Sequence, residues 1–302
     1  MITRSLLLKL LVLDYLKSVH EATIREISWK TGVSDDVVSS TVYELTDNYL
    51  MDVSSTKVSW SVVDNPSTLR PWGWKIEHLV LLGSTMDYAR GCGLWTIVVA
   101  EYQFYGRGRH GKEWIGPLGG LWVTLRFPME SSKASLVPVA APLVLIDTLK
   151  QVVDIDAEIK WPNDIVFEDK KLAGILVEGE TYQDRIVVNV GIGLNVNNNP
   201  PLPGTTSLKY IRGRLTPRNT ILSLLIGRFS RIDKLLEDPE ELFDRYMAKL
   251  STLGKRVRAE TSSGIVEGVA VDVNEYGYLE VETSTGKKLL DPNTTYELKH
   301  LD

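Results

Sequence analysis

Apolar positions recur at helical spacing from the start of the chain. Leu6, Leu7, Leu10, Leu13 and Leu16 predict an amphipathic helix. In TIREISWKTGVSDDVVSSTVYELTDNYLMDV, Thr23 is placed to cap a short helix running to about Lys30. Gly32 permits a tight turn, and Ser34 is placed to cap a second helix to Tyr49 carrying Val37, Val38, Val42 and Leu45. This is a helix-turn-helix pattern. KVSWSV then alternates like a strand and would form a wing, so residues 1–62 are predicted to be a winged helix-turn-helix domain.

The pattern changes after Asn65-Pro66, Pro71 and Gly73. Apolar and β-branched runs follow: TIVVAE, GLWVTLRF, IKWPNDIVF, LAGILVE and RIVVNVGIGLNV. Helical stretches alternate with them. One covers Pro138 to Val153. Another starts at Thr216-Pro217, read as a cap and a proline at the first helical position, with Leu222, Leu225, Ile226, Phe229, Ile232 and Leu236 on one side. PEELFDRYMAKL is a third. Residues 63–250 therefore predict a mixed α/β domain. Residues 251–302 lose the helical period. RVRAET, IVEGVAVDV, YLEVET and KKLLD are short strands joined by Ser-Gly, Glu-Tyr-Gly and Thr-Gly turns, which predicts a small β-barrel. The fold class expected is α+β in three parts, without internal repeats.

Composition narrows the function. Apolar residues make up 43% and charged residues 24% of the 302 positions, as in a globular protein with a core of its own. The net charge of −5 excludes a chain that coats nucleic acid along its length, while leaving room for a local basic patch. Cys92 stands alone, which excludes an internal disulfide and suits a reducing compartment. Lys9, Asp14 and Lys17 interrupt the first apolar run, unlike a signal peptide. No run is long enough to span a membrane. A cytoplasmic location and no membrane contact are the expectation. Residues 1–64 hold six Lys and Arg against nine Asp and Glu, and the second helix carries Asp35, Asp36, Glu44 and Asp47 without a cation. A recognition helix ordinarily brings cations to phosphates. DNA binding and a packing or interaction role both stay open for this domain.

The cations concentrate elsewhere. YGRGRHGKEW, residues 105–114, is too glycine-rich to predict a helix or a strand and reads as a loop. Gly106, Gly108 and Gly111 let backbone approach a ligand. Arg107 and Arg109 are forked donors suited to phosphate or carboxylate, and His110 and Lys112 add softer charge. Trp114 ends the loop with a large flat surface. The spacing fits neither the phosphate loop with Gly-Lys-Ser/Thr nor the dinucleotide fingerprint. KWPND brings Lys160, Asn163 and Asp164 to the end of an apolar strand. KLAGILVEGE sets Lys171 just ahead of Gly174, GIGLNVN ends in Asn195 and Asn197, and GSTMDYA sets Ser84 and Thr85 before a helix. Cationic, amide and glycine positions at strand ends are where ligand sites are built. Plain alternatives remain for each: a helix cap for Ser84, a turn for Asn195, a strand-end charge for Lys171.

GSTMD, EYQFYGRGRHGKEW, KWPNDI, KLAGILVE and GIGLNVN, in that order, resemble the biotin protein ligases, and the flanking parts resemble those of the three-domain, repressor-type members. The resemblance implies a central domain related to class II aminoacyl-tRNA synthetases and lipoate ligases, and a C-terminal SH3-like barrel. It implies biotin and ATP as substrates, with Mg²⁺. Biotin is activated to biotinyl-5′-AMP and then passed to a lysine of a biotin carboxyl-carrier protein or domain. A homodimer and operator DNA are further implied partners. Lys171, with Arg107 and Arg109, is then expected to act on the carboxylate and α-phosphate. Ser84, Thr85, Met86 and Gln103 are expected at the ureido ring. Gly106, Gly108 and Gly174 would allow close approach, and Trp114 would shield the adenylate from water. Lys160, Asn163 and Asn195 would serve ATP, with Asp164 on Mg²⁺. The loop is expected to order when biotin and ATP bind. Met86 stands where these ligases commonly have Asn, His110 and Lys112 where arginines are usual, and DPNTTYEL lacks the familiar Gly-Glu-Val. Two other readings stay open: lipoate or octanoyl transfer on the same scaffold, and a ligand-sensing transcription regulator.

Overall fold

Helix signals at the N-terminus are resolved locally. In the computed structural model, which describes residues 3–182 and 185–301, α1 spans Arg4–Val19, β1 Glu21–Thr23 and α2 Ile24–Thr31. Thr23 Oγ1 accepts the Glu26 N–H while the Glu26 carboxylate accepts the Thr23 N–H at 2.7 Å, a reciprocal cap. Gly32 follows at φ 71°, a left-handed stop that favours glycine. α3 covers only Asp35–Leu45, ending short of Tyr49, and Ser34 at its start makes no side-chain cap bond. The chain turns at Asp47-Asn48, where turn-forming side chains outcompete the helix. Strands β2 (Met51–Val53) and β3 (Lys57–Trp60) complete a three-stranded antiparallel sheet in the order β1-β3-β2. Leu10, Leu13, Leu16, Ile27, Val38, Val42, Leu45 and Val58 form its core. Leu7 and Val37, expected on the apolar faces, point to solvent.

The central part is an eight-stranded mixed sheet. Its elements are β4 (Lys75–Leu82), α4 (Thr85–Arg90), β5 (Thr96–Arg107), β6 (Glu113–Gly116), β7 (Leu121–Met129), α5 (Ser131–Ala134), α6 (Val137–Val153), β8 (Glu158–Lys160), β9 (Asp164–Phe167), β10 (Lys170–Tyr182) and β11 (Arg185–Leu194). Strand order is β4-β5-β7-β11-β10-β9-β8, with β6 attached to β5. Among the described residues, β4 and β5 are the only neighbouring strands that run parallel. After the sheet come α7 (Leu208–Arg212), α8 (Arg218–Phe229), α9 (Ile232–Leu235) and α10 (Pro239–Ala248). α6 packs on the sheet and against α8 and α10, enclosing one apolar core. The start of α8 differs from expectation. Pro217 is the N-cap, and Thr216 lies outside the helix. The Thr216 hydroxyl accepts from Arg212 at 2.9 Å instead, and Asn197 holds its N–H at 2.8 Å and its carbonyl at 3.0 Å. The apolar row is also split: Ile232 falls in α9 and Leu236 caps it, both still buried.

A buried ionic cluster joins the first two parts. Arg218 of α8 meets Asp64 at 2.9 Å and Glu101 of β5 at 2.6 Å, and His78 of β4 meets Glu101 at 2.7 Å. Tyr49 and Trp60, both from the N-terminal part, cover the guanidinium at 4.7 and 5.8 Å. Burial alone would raise the Glu101 carboxyl, but Arg218 and His78 outweigh it and hold it at about 2. Burial lowers the His78 imidazole despite Glu101 beside it.

The last part is a five-stranded antiparallel sheet of β12 (Arg256–Thr261), β13 (Gly264–Val273), β14 (Leu279–Thr283), β15 (Gly286–Leu290) and β16 (Thr295–His300). Its order is β15-β14-β13-β12-β16. Val257, Ala259, Ala270, Leu279 and Val281 line an inner face continuous with the central core. Trp161 Nε1 donates to the Gly277 carbonyl at 2.9 Å across that boundary. Among the described residues no helix is long and apolar enough to cross a membrane.

Candidate active site

A cleft of about 500 Å³ opens on the central sheet. One buried end of its lining comes from the junction of β4 and α4. Ser84 Oγ caps α4 by accepting the Asp87 N–H, so the plain capping reading of Ser84 holds. The Thr85 N–H donates to Gln103 Oε1 at 2.7 Å, and Thr124 donates to the Thr85 hydroxyl at 2.9 Å. Met86 packs over Gly191, where a Cβ would stand 2.7 Å from its sulfur. Ser84, Thr85, Met86 and Gln103 thus form one polar and apolar end, all under a tenth exposed.

The glycine-rich segment is not an irregular loop. Tyr105–Arg107 belongs to β5 and Glu113–Gly116 to β6, and the two pair as an antiparallel hairpin. Its tip is a 3₁₀ turn at Arg109–Gly111, with His110 at φ 54° and Gly111 at φ 73°. Gly108 N–H to the Lys112 carbonyl at 2.7 Å closes it. Glycine at 106 serves the hairpin itself, because a Cβ there would lie 2.4 Å from the Trp114 carbonyl oxygen. Gly106 lies outside the cleft lining, which corrects the expectation that it meets the ligand. The sequence hid the hairpin because its glycines relieve backbone crowding rather than break the strands.

Trp114 lies flat on the floor. Its ring covers Gly174 of β10 and Gly193 of β11, which face each other across the ladder. A Cβ on either would come within 2.7 Å of the indole. Trp114 Nε1 is buried and has no hydrogen-bond partner among the described residues, an unusual state for a buried donor. Lys171 Nζ sits 5.1 Å from the centre of this ring and forms an ion pair with Asp164 at 2.8 Å. Arg107 is held by Asp87 at 2.9 Å and Glu178 at 2.8 Å. Arg109 reaches the Pro292 carbonyl and Asn163 Oδ1, and burial lowers its pKa. An arginine stays charged even so. Lys160 is half-buried, and burial lowers its pKa too, with Lys171 adding to the fall and Asp164 opposing it. Asn163 donates to the Ile175 carbonyl, and Asn195 Oδ1 accepts from Asn198 at 2.8 Å.

The cleft therefore collects Ser84, Thr85, Met86, Gln103, Arg107, Gly108, Arg109, Trp114, Lys160, Asn163, Asp164, Lys171, Gly174 and Asn195. Sequence reasoning missed Gly191 and Gly193, although their two-residue spacing on one strand was a signal that both share a face. It also missed Thr295–Lys299 of β16, which complete the wall next to the hairpin tip. His110 stacks edge-on against Tyr296 there, with centroids 5.0 Å apart. DPNTTYEL, despite lacking Gly-Glu-Val, delivers this strand to the cleft.

Chemically, the cleft can hold an anion against Arg107, Arg109, Lys160 and Lys171 while hydroxyl and amide groups read a neutral polar end. Arg107, Arg109 and Lys171 now rest on protein acceptors that ligand oxygens can replace.

Residues 93–197 match the biotin/lipoate A/B protein ligase family, and residues 252–294 match the biotin protein ligase C-terminal domain. The chain is 30% identical over 205 residues to the bifunctional ligase/repressor BirA of Bacillus subtilis, covering 64% of this chain and 63% of that protein. It thus spans less than two thirds of that relative's length. It is 34% identical to the biotin–[acetyl-CoA-carboxylase] ligase of Mycobacterium tuberculosis, over 61% of this chain and 71% of that one. The solved structure of the Aquifex aeolicus biotin protein ligase in complex with biotin and ATP superposes with a TM-score of 0.64 at 27% identity, covering 75% of this chain and 99% of that one. The chain belongs to the biotin protein ligase family.

Proposed function

We propose that this chain activates biotin with ATP and transfers it to a carrier-protein lysine. One observation carries the reading: Lys171, Arg107 and Arg109 converge beside a glycine floor capped by Trp114, with Ser84, Thr85 and Gln103 at the buried end. In the first step a biotin carboxylate oxygen attacks the α-phosphorus of ATP and pyrophosphate leaves. Two anions must approach, and the fixed cations offset their repulsion and the charge growing on phosphorus. Lys171 exchanges Asp164 for a carboxylate or phosphate oxygen. Arg107 and Arg109 hold the adenylate under the hairpin, and Trp114 keeps water from the mixed anhydride. In the second step the acceptor amine attacks the acyl carbon, AMP leaves, and the amine loses a proton. Mg²⁺ fits as an ion carried on the phosphates, with Asp164 offering one carboxylate. The side-chain oxygens of Asn163 and Asn195 are already engaged, and among the described residues no three His, Cys, Asp or Glu converge.

Residues 63–250 would hold this chemistry on a synthetase-like scaffold. Residues 1–62 would form a winged helix and 251–302 an SH3-like barrel. Asp35, Asp36 and Glu44 of α3 and Asp47 in the turn after it are exposed, with Lys9 paired to Glu44 at 2.7 Å; this acidic balance repels phosphate and supports a role other than operator binding. A lipoyl or octanoyl substrate would bring no ureido group to the hydroxyl and amide positions of Ser84, Thr85 and Gln103. A cytoplasmic location and a homodimer remain part of this reading. The test is pyrophosphate release with ATP and biotin, lipoate or octanoate. Release that depends on biotin supports it; release with lipoate or octanoate alone overturns it.

A further inference from the structure

The hairpin has an outer side that the cleft chemistry does not use. Gln103 pairs with Gly116 and Gly106 with Trp114, so Phe104 and Tyr105 together oppose Ile115 in a β-bulge. Bulges re-aim side chains next to active sites. Here the bulge turns two consecutive aromatic rings outward: Phe104 is 46% and Tyr105 66% exposed, and Ile115 opposite them is 46% exposed. The two rings meet edge-to-face with centroids 4.9 Å apart. Tyr105 N–H is fixed to the Gly83 carbonyl at 2.9 Å, so the bulge is held against the end of β4. The hairpin tip is covered by the C-terminal sheet through Arg109 and His110, but its base is left bare. The bare patch is continuous with the reacting cleft: Gln103 and Arg107 flank it on β5, and Ile115 belongs to both.

We infer that Phe104 and Tyr105 form the docking patch for the lysine-bearing acceptor domain. This rests on the ligase reading above. A lysine amine must reach an acyl carbon inside the cleft, so the acceptor's body must sit at the mouth. Exposed aromatic clusters are the usual anchors of protein interfaces, because they bury large area with few torsions to freeze. The complementary partner is a folded domain with apolar side chains beside its target lysine.

The experiment uses the full chain with biotin, ATP and Mg²⁺, and two acceptors in parallel: hydroxylamine, and an isolated biotin carrier domain of an acetyl-CoA carboxylase. The variant is Phe104→Ser with Tyr105→Ser. Hydroxylamine-supported pyrophosphate release should stay within about twofold of wild type, while KM for the carrier domain rises about tenfold or more. Phe104→Leu with Tyr105→Phe, which keeps the apolar area, should restore KM. An unchanged KM for the carrier domain overturns the docking role. An equal fall with both acceptors also overturns it, assigning the rings to the cleft, and so does a change in sedimentation without a change in KM, assigning them to a contact between copies. No biotin-dependent release by the wild-type chain brings down the ligase reading instead, and the docking role with it.

Discussion

Two clusters of charge lie on the central sheet, one under the N-terminal part and one in the cleft. In the first, Arg218, Asp64, Glu101 and His78 are buried, and Arg218 alone touches two carboxylates and two backbone carbonyls. In the second, Lys171 and Asp164 form a partly exposed pair, at 34% and 27% side-chain exposure, and Trp114 Nε1 has no partner among the described residues. The same residue types serve opposite ends. A charge enclosed by several fixed partners bolts elements together. A charge resting on one replaceable partner is free to trade it for a substrate.

Breaking the bolt has the largest expected effect. Arg218→Met leaves Asp64 and Glu101 buried without their cation, and removing one partner of a buried pair typically costs about 3–5 kcal/mol. Urea unfolding measures this; a loss below about 1 kcal/mol would put the cluster in the replaceable class. Acid probes the same cluster. The Glu101 carboxyl, at about 2 instead of the ordinary 4.5, contributes stability that is complete above pH 4.5 and disappears as pH falls towards 2. His78, held below its ordinary 6.5, adds a loss of the same sign below pH 6.5, because the unfolded chain takes up the proton first. Unfolding of Glu101→Gln at pH 7, 5 and 3 should show a flatter dependence below pH 4.5 than wild type; equal slopes would contradict it.

The cleft responds in function instead. Gly193→Ala sets a Cβ 2.5 Å from the Trp114 ring, and such overpacking costs roughly 1–3 kcal/mol. The rigid indole must move, so KM for biotin should rise about tenfold in steady-state pyrophosphate release. Glu178→Gln removes one of the two carboxylates on Arg107. The Arg107–Glu178 pair is partly exposed, and a solvent-screened pair is worth up to about 1 kcal/mol, so the same assay should show KM for ATP falling by no more than about fivefold.

Much of this was legible before any coordinates. Residue types and their order along GSTMD, GRGRHGKEW, KWPND and KLAG name half of the cleft lining, because cations, amides and glycines gathered at several strand ends point to one ligand site. The hairpin was not legible, since glycines that relieve crowding look the same in sequence as glycines that break strands. Neither was the bolt: Asp64, His78, Glu101 and Arg218 are far apart in sequence, and nothing local marks them as partners. The carboxylates that hold the cleft cations, Asp87 and Glu178, escaped for the same reason. Thr216 was misread because Arg212 takes its hydroxyl and Asn197 pins its backbone, contacts only the fold creates.

The most direct measurement compares Lys171→Ala with wild type in two assays on one preparation: biotin-dependent pyrophosphate release and urea unfolding. The expected result is release lowered at least about tenfold with the unfolding free energy changed by less than about 1 kcal/mol, as for a partly exposed pair. Unchanged release, or a loss of stability as large as that of Arg218→Met, would contradict the division between a cation that bolts and a cation that reacts.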